Sequence, residues 1–94
     1  MFNSTERQSR VRIRGKDWAK ARFMSADKYQ AISGAILSSL PKTPIAYSEV
    51  VKRVKARARS FSGSIPWHTI ACLRELEVQG KVMRHEDPVR YSRR

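Results

Sequence analysis

His68 and Cys72 stand four residues apart in a stretch that reads as helix, a spacing that would put an imidazole and a thiol on one face as two ligands for a metal ion. A structural zinc site wants four such groups. The only other histidine is His85 and there is no second cysteine, so no metal is expected. Cys72 then reads as a small buried hydrophobe and His85 as a residue on the solvent side of the C-terminal hairpin. The carboxylates Asp27, Glu49, Glu75, Glu77, Glu86 and Asp87 show no spacing that forces two of them into one cleft for acid–base work. Ser48 and Ser64 stand where helix caps are expected, and no glycine-rich phosphate loop is present. The reading is a non-enzymatic chain with no cofactor.

What remains is positive charge. Twenty Lys and Arg against eight Asp and Glu give a formal net charge of +12 on 94 residues, an excess that attracts polyanions and speeds encounters with them. Nucleic acid is therefore the leading partner, duplex DNA ahead of RNA. Charge alone does not separate a specific DNA reader from an RNA binder, a ribosome-associated protein or a merely soluble basic protein. The candidate contacts are Arg10, Arg12 and Arg14 in an N-terminal arm, then Lys52, Arg53 and Arg57, then Arg84 and Arg90 for phosphates, with His68 and Arg74 placed to meet base edges. Glu75 and Glu77 oppose this, because they would repel phosphate from the same helix. The single cysteine excludes an intrachain disulfide and suits a reducing compartment, with the cytoplasm as the default. No apolar run approaches the ~20 residues of a membrane span.

One domain is expected over residues 11–94, preceded by a flexible basic arm over 1–10; 94 residues leave no room for two cores. Val11 and Ile13 alternate with arginines, the period of a short strand. Arg10 to Arg14 would either follow a minor groove or stay solvated. Trp18, Phe23 and Phe61 would serve either as stacking platforms or as cover for a thin core. A first helix is predicted over 25–40, capped by Ser25 and ended by Pro41, with Tyr29, Ile32, Ile36, Leu37 and Leu40 as its apolar stripe. Residues 42–47 form a linker with room for a very short strand. A second helix, capped by Ser48 and running to about Arg59, turns Val50, Val51, Val54 and Ala58 inward and Lys52, Arg53, Lys55 and Arg59 outward. A third runs from about Ser64 to Gln79. Its Thr69, Cys72, Leu73 and Leu76 face the core; Ala71, Arg74, Glu75 and Val78 face outward; Trp67 and Ile70 close the seam beside the core. Gly80 suits the left-handed position past a helix end. Residues 81–86 alternate as a strand, Asp87-Pro88 turns the chain, and Val89-Arg90-Tyr91 returns, with Val82 expected opposite Tyr91 or Val89.

Helix, glycine and hairpin together are the last third of a winged helix. The stretch Leu73-x-x-Leu76-Glu77-x-x-Gly80-x-Val82-x-Arg84 resembles the recognition helix and first wing strand of the winged helix-turn-helix superfamily. More narrowly, Ser25-Ala26-Asp27-Lys28-Tyr29, Leu40-Pro41, Trp67, Leu76-Glu77-x-x-Gly80 and Pro88-Val89-Arg90-Tyr91 are similar to a family of small bacterial winged-helix-like proteins of unknown function, over roughly residues 11–94. The resemblance implies an α+β winged helix-turn-helix fold: three helices, a C-terminal two-stranded wing and a basic N-terminal arm. A DNA-binding regulator or accessory factor is the leading reading. The alternative is a protein-interaction module or homodimer of the same shape.

Overall fold

Ser25 accepts a hydrogen bond from the Lys28 backbone N–H at 3.3 Å and so opens helix α1, Ala26–Ser39, with Asp27 in its first turn. The side-chain oxygen and the negative charge both suit the unpaired amides of a helix start. Leu40, extended ahead of Pro41, closes it. The structure, a computed structural model, describes residues 10–14 and 22–94. Along these the chain runs β1 (Arg10–Ile13), β2 (Arg22–Ser25), α1, β3 (Ile45–Ala46), α2 (Tyr47–Arg57), α3 (Ile65–Val78), β4 (Val82–His85) and β5 (Arg90–Arg93). The expected arm before Arg10 and the aromatic Trp18 lie outside the described residues.

The three helices and the C-terminal hairpin make an α+β, winged-helix-like arrangement. The hairpin gains a third strand: β3 pairs antiparallel with β5, giving the order β3-β5-β4. A separate antiparallel pair joins β1 to β2, from Arg10 opposite Ser25 to Ile13 opposite Arg22. One core unites these parts. Ile13 and Met24 from the first hairpin, Ile32 and Ile36 from α1, Val50 and Val54 from α2, Leu73 and Leu76 from α3, and Val82 and Tyr91 from the second sheet are all buried together. Helix α1 packs on both α2 and α3, and β1 packs on α3.

Helix α2 begins two residues earlier than expected and without the Ser48 cap. Its N-cap is Ala46, which makes no side-chain bond. Ala46 is also the last residue of β3, so pairing with β5, together with a Tyr47 hydroxyl that donates to the Pro66 carbonyl at 2.5 Å, anchors this end instead. The helix ends at Arg57 rather than Arg59.

Helix α3 opens as predicted, with Ser64 accepting from the Trp67 N–H at 3.2 Å. It stops at Val78 in a pair of crossed bonds: Lys81 N–H donates to Leu76 at 2.9 Å and Gly80 N–H to Glu77 at 3.0 Å. That motif requires the residue past the cap to be left-handed, and Gly80 sits at φ +78°. The inward side of α3 is wider than expected. Ala71 and Glu75, read as outward, are buried beside Thr69, Cys72, Leu73 and Leu76. The β1–β2 hairpin accounts for Glu75: β1 packs along this helix and Met24 meets the Cys72 thiol at 3.8 Å. Trp67, expected in the seam, is instead 43 % exposed, whereas Ile70 is packed against the core.

The wing register also differs. Val82 lies opposite Arg93, and Arg84 opposite Tyr91. A turn centred on Asp87-Pro88 fixes these partners, because each step back along β4 must be matched by one step forward along β5. Val82 and Tyr91 therefore meet as diagonal neighbours, both buried, while Val89 stays exposed in the turn. Truncating the centre of this core tests the packing: Leu73→Ala should cost about 2–5 kcal/mol in urea unfolding, whereas Val89→Ala should change stability by less than about 0.5 kcal/mol.

Candidate nucleic-acid interface

Arg14 leaves β1 and turns back onto α3. Its backbone N–H donates to Glu75 Oε1 at 2.9 Å, its Nε reaches Oε1 at 3.1 Å and Oε2 at 3.2 Å, and its Nη2 closes an ion pair with Oε2. Gln79 adds a bond to Glu75 Oε2 at 2.9 Å and another to the Tyr29 hydroxyl at 3.1 Å. Glu75 is 2 % exposed. Burial pushes its carboxyl up, but the bonds from the Arg14 side chain, from Gln79 and from the Arg14 amide outweigh burial and hold it below the usual carboxylate range. The same pair raises the Arg14 guanidinium further. Arg14 is thus an ion-pair partner whose side chain is about half exposed, and Glu75 is enclosed rather than on the outer surface expected for it.

Two further predicted contacts are also engaged. Arg74 is 11 % exposed and pairs with Glu77 at 3.5 Å. His68 donates through Nδ1 to the Ser64 carbonyl at 2.6 Å, and its ring packs edge-on between Phe61 and Trp67, with 4.9 Å between centroids on each side. Lys28 lies over the far partner, 5.9 Å from the Phe61 ring. Burial pushes the Cys72 thiol up to about 12, the behaviour of an inert core residue. Among the described residues, no three His, Cys, Asp or Glu side chains group to hold a metal, and no helix is long and apolar enough to cross a membrane.

The remaining cations divide by element. Arg10 and Arg12 are exposed on β1, with the Arg10 guanidinium 5.0 Å from the centre of the Phe23 ring. Arg84 pairs with Glu86, and that contact holds its guanidinium up. Arg84 faces Tyr91 across the wing and Arg90 faces His85, so the two wing arginines point to opposite sides of the hairpin. On α2, Lys52 and Arg57 are exposed, and Arg53 bonds Glu49 at 3.1 Å and the Ser39 carbonyl at 3.0 Å. Lys55 and Arg59 belong with them. Both are exposed; Lys55 follows Lys52 by three on α2, a spacing that marks one face, and Arg59 stands two residues past its end. Arg93 is another addition: its Nε donates to the Leu40 carbonyl at 2.7 Å. No local signal announces that contact, which joins residues 53 positions apart.

Residues 11–91 match the family described as Family of unknown function (DUF6958). The chain belongs to that family. No curated protein and no solved structure matches it. In this DUF6958 chain Arg14, Arg53, His68, Arg74 and Arg84 are thus engaged by other side chains or carbonyls, while Arg10, Arg12, Lys52, Arg57 and Arg90 are exposed.

The Glu75 network carries a pH dependence. Its folded-state pKa is depressed, so its stabilising contribution is complete above the unfolded carboxylate value of about 4.3 and is lost as pH falls through the folded value. The urea midpoint of the wild-type protein should therefore fall between pH 6 and pH 3 more steeply than that of Glu75→Gln, which has no carboxylate to protonate there. Parallel curves for the two proteins would remove Glu75 from the acid response.

Proposed function

We propose that this chain binds double-stranded DNA without catalysing a reaction on it, as a winged-helix regulator or accessory factor. In this reading α2 holds phosphates and α3 contributes little base reading. One observation carries it: Lys52 and Lys55 share an exposed face of α2, Arg59 is exposed just past its end, and none of the three has a carboxylate partner among the described residues, while Glu49, Glu75, Glu77 and Glu86 are each taken up by an arginine. Such a face meets a regular row of phosphates and carries no sequence information. Arg74, the cation best placed for a base edge, has its charge met by Glu77.

A second reading, association of two copies of this chain, is favoured by a different feature. Trp67 and Val78 are both exposed on α3. Their spacing places them within about 20° of each other around the helix axis, on one line of its surface. Sedimentation equilibrium decides it: a dimer that Trp67→Glu dissociates supports this reading, and a monomer at every concentration removes it.

Fluorescence anisotropy with a labelled duplex tests the main reading. About four phosphate contacts give a slope of log K against log salt near −3 to −4. Lys52→Ala with Lys55→Ala should bring that slope about two units closer to zero and weaken unrelated duplexes equally. Absence of binding at low salt would sink the reading.

A further inference from the structure

Between the end of α1 and the carboxyl half of α2 lies an open depression of about 410 Å³, lined by Ser39, Arg53, Ala56 and Arg57. Ala56 is exposed between the long side chains of Lys55 and Arg57, and its short methyl leaves the hollow unfilled. Arg53 is held in place here. Its Nε donates to Glu49 and its Nη1 to the Ser39 carbonyl, at 3.1 and 3.0 Å, which leaves Nη2 outside both bonds. Arg57, one helical turn on, is exposed and without a partner among the described residues.

The carbonyl end of a helix ordinarily repels anions, since it carries about half a negative charge. At α1 that effect is already met. The Ser39 and Leu40 carbonyls accept from Arg53 and Arg93 at 3.0 and 2.7 Å. Glu49 is the carboxylate at hand, and it is engaged by Arg53. Two guanidinium groups, of Arg53 and Arg57, therefore line the depression against one carboxylate, and the excess is positive.

We propose that this depression seats a phosphate group, with Arg53 and Arg57 donating to its oxygens. Planar guanidinium forks match phosphate geometry, and a partly fixed fork loses less freedom on binding than a mobile lysine. The hollow is wider than one phosphate needs, which leaves room for the ester that carries it. A free phosphate or small phosphomonoester and a nucleic-acid backbone share this chemistry. The inference stands apart from the duplex-binding reading, because a phosphate ion alone can fill the site.

Amide NMR on the full chain tests it, with inorganic phosphate titrated against chloride at matched ionic strength. The Ala56 and Arg57 amides should shift with phosphate and saturate, and move little with chloride. Ala56→Leu fills the hollow while keeping every charge, at an exposed helical position, and should weaken phosphate at least tenfold. Arg57→Gln should do the same, whereas Lys81→Gln, at an exposed cation elsewhere, should not. A duplex arm identifies the source. If Ala56→Leu weakens duplex binding too, the phosphate is a backbone one; if the duplex still binds equally well, it is a free phosphate or monoester. Phosphate shifts that never saturate, or equal phosphate affinity in the wild type, Ala56→Leu and Arg57→Gln, would overturn the proposal. A wild type that binds no duplex bears on the function proposed above, and the phosphate titration still decides this site.

Discussion

Glu75 is a carboxylate in the middle of α3, closed off from water, and the amino-terminal part of the fold is organised around keeping it charged. A buried, unpaired carboxylate is expensive enough that such a group ordinarily takes up a proton. Here one arginine supplies both its amide and its guanidinium, and Gln79 supplies a third partner. That arrangement requires the chain at Arg14 to lie against α3, so β1 must pack there, and its partner β2 must run directly into the Ser25 cap of α1. The ion pair joins residues 61 positions apart and so specifies how the first hairpin meets the last helix. Arg14 remains partly solvated, which limits what the pair adds to stability by itself. Its larger effect is to exclude alternative placements of the hairpin that would leave Glu75 unpaired.

The same arrangement redistributes charge. Four of the acidic side chains are drawn into pairs with arginines just past β1, on α2, on α3 and on the wing. Each pair cancels locally, and among the cations left over Lys52, Lys55 and Arg57 are exposed on α2. Helix α3, which in a winged-helix shape is the element offered to a groove, is by contrast enclosed around much of its circumference and carries exposed Trp67 and Val78. The polarity of the two helices is thus inverted relative to what a base-reading protein needs. That inversion is the physical ground for preferring phosphate contact over sequence reading.

Much of the local structure was legible in the chain. Ser25, Pro41, Ser64 and Gly80 each act within a few residues of themselves, through a side-chain oxygen, a missing amide hydrogen or a permitted left-handed turn, and all four do what their types imply. The apolar stripe of α1 and the inward turn of Val50, Val54 and Ala58 followed from helical spacing alone, whereas Val51, expected beside them, is not packed in the core. Errors arose wherever a distant segment intervened. Ser48 lost its capping role because β3 pairs with β5 at that point. Ala71 and Glu75 turned inward because the β1–β2 hairpin occupies a side of α3 that periodicity within α3 cannot reveal. For the site, the cations on α2 were readable from spacing. The hollow between Arg53 and Arg57 was not, since it depends on how closely the end of α1 approaches α2.

Composition and short-range pattern were sufficient to give an α+β fold, its helix boundaries to within a residue or two, and a large positive excess, because each of these arises from side chains acting on their own stretch of backbone. Which arginines are spent on carboxylates and which stay available to a partner was decided only by tertiary packing. An ion pair depends on the distance between two charges and on the water left around them, and neither quantity exists until the segments carrying them are folded together.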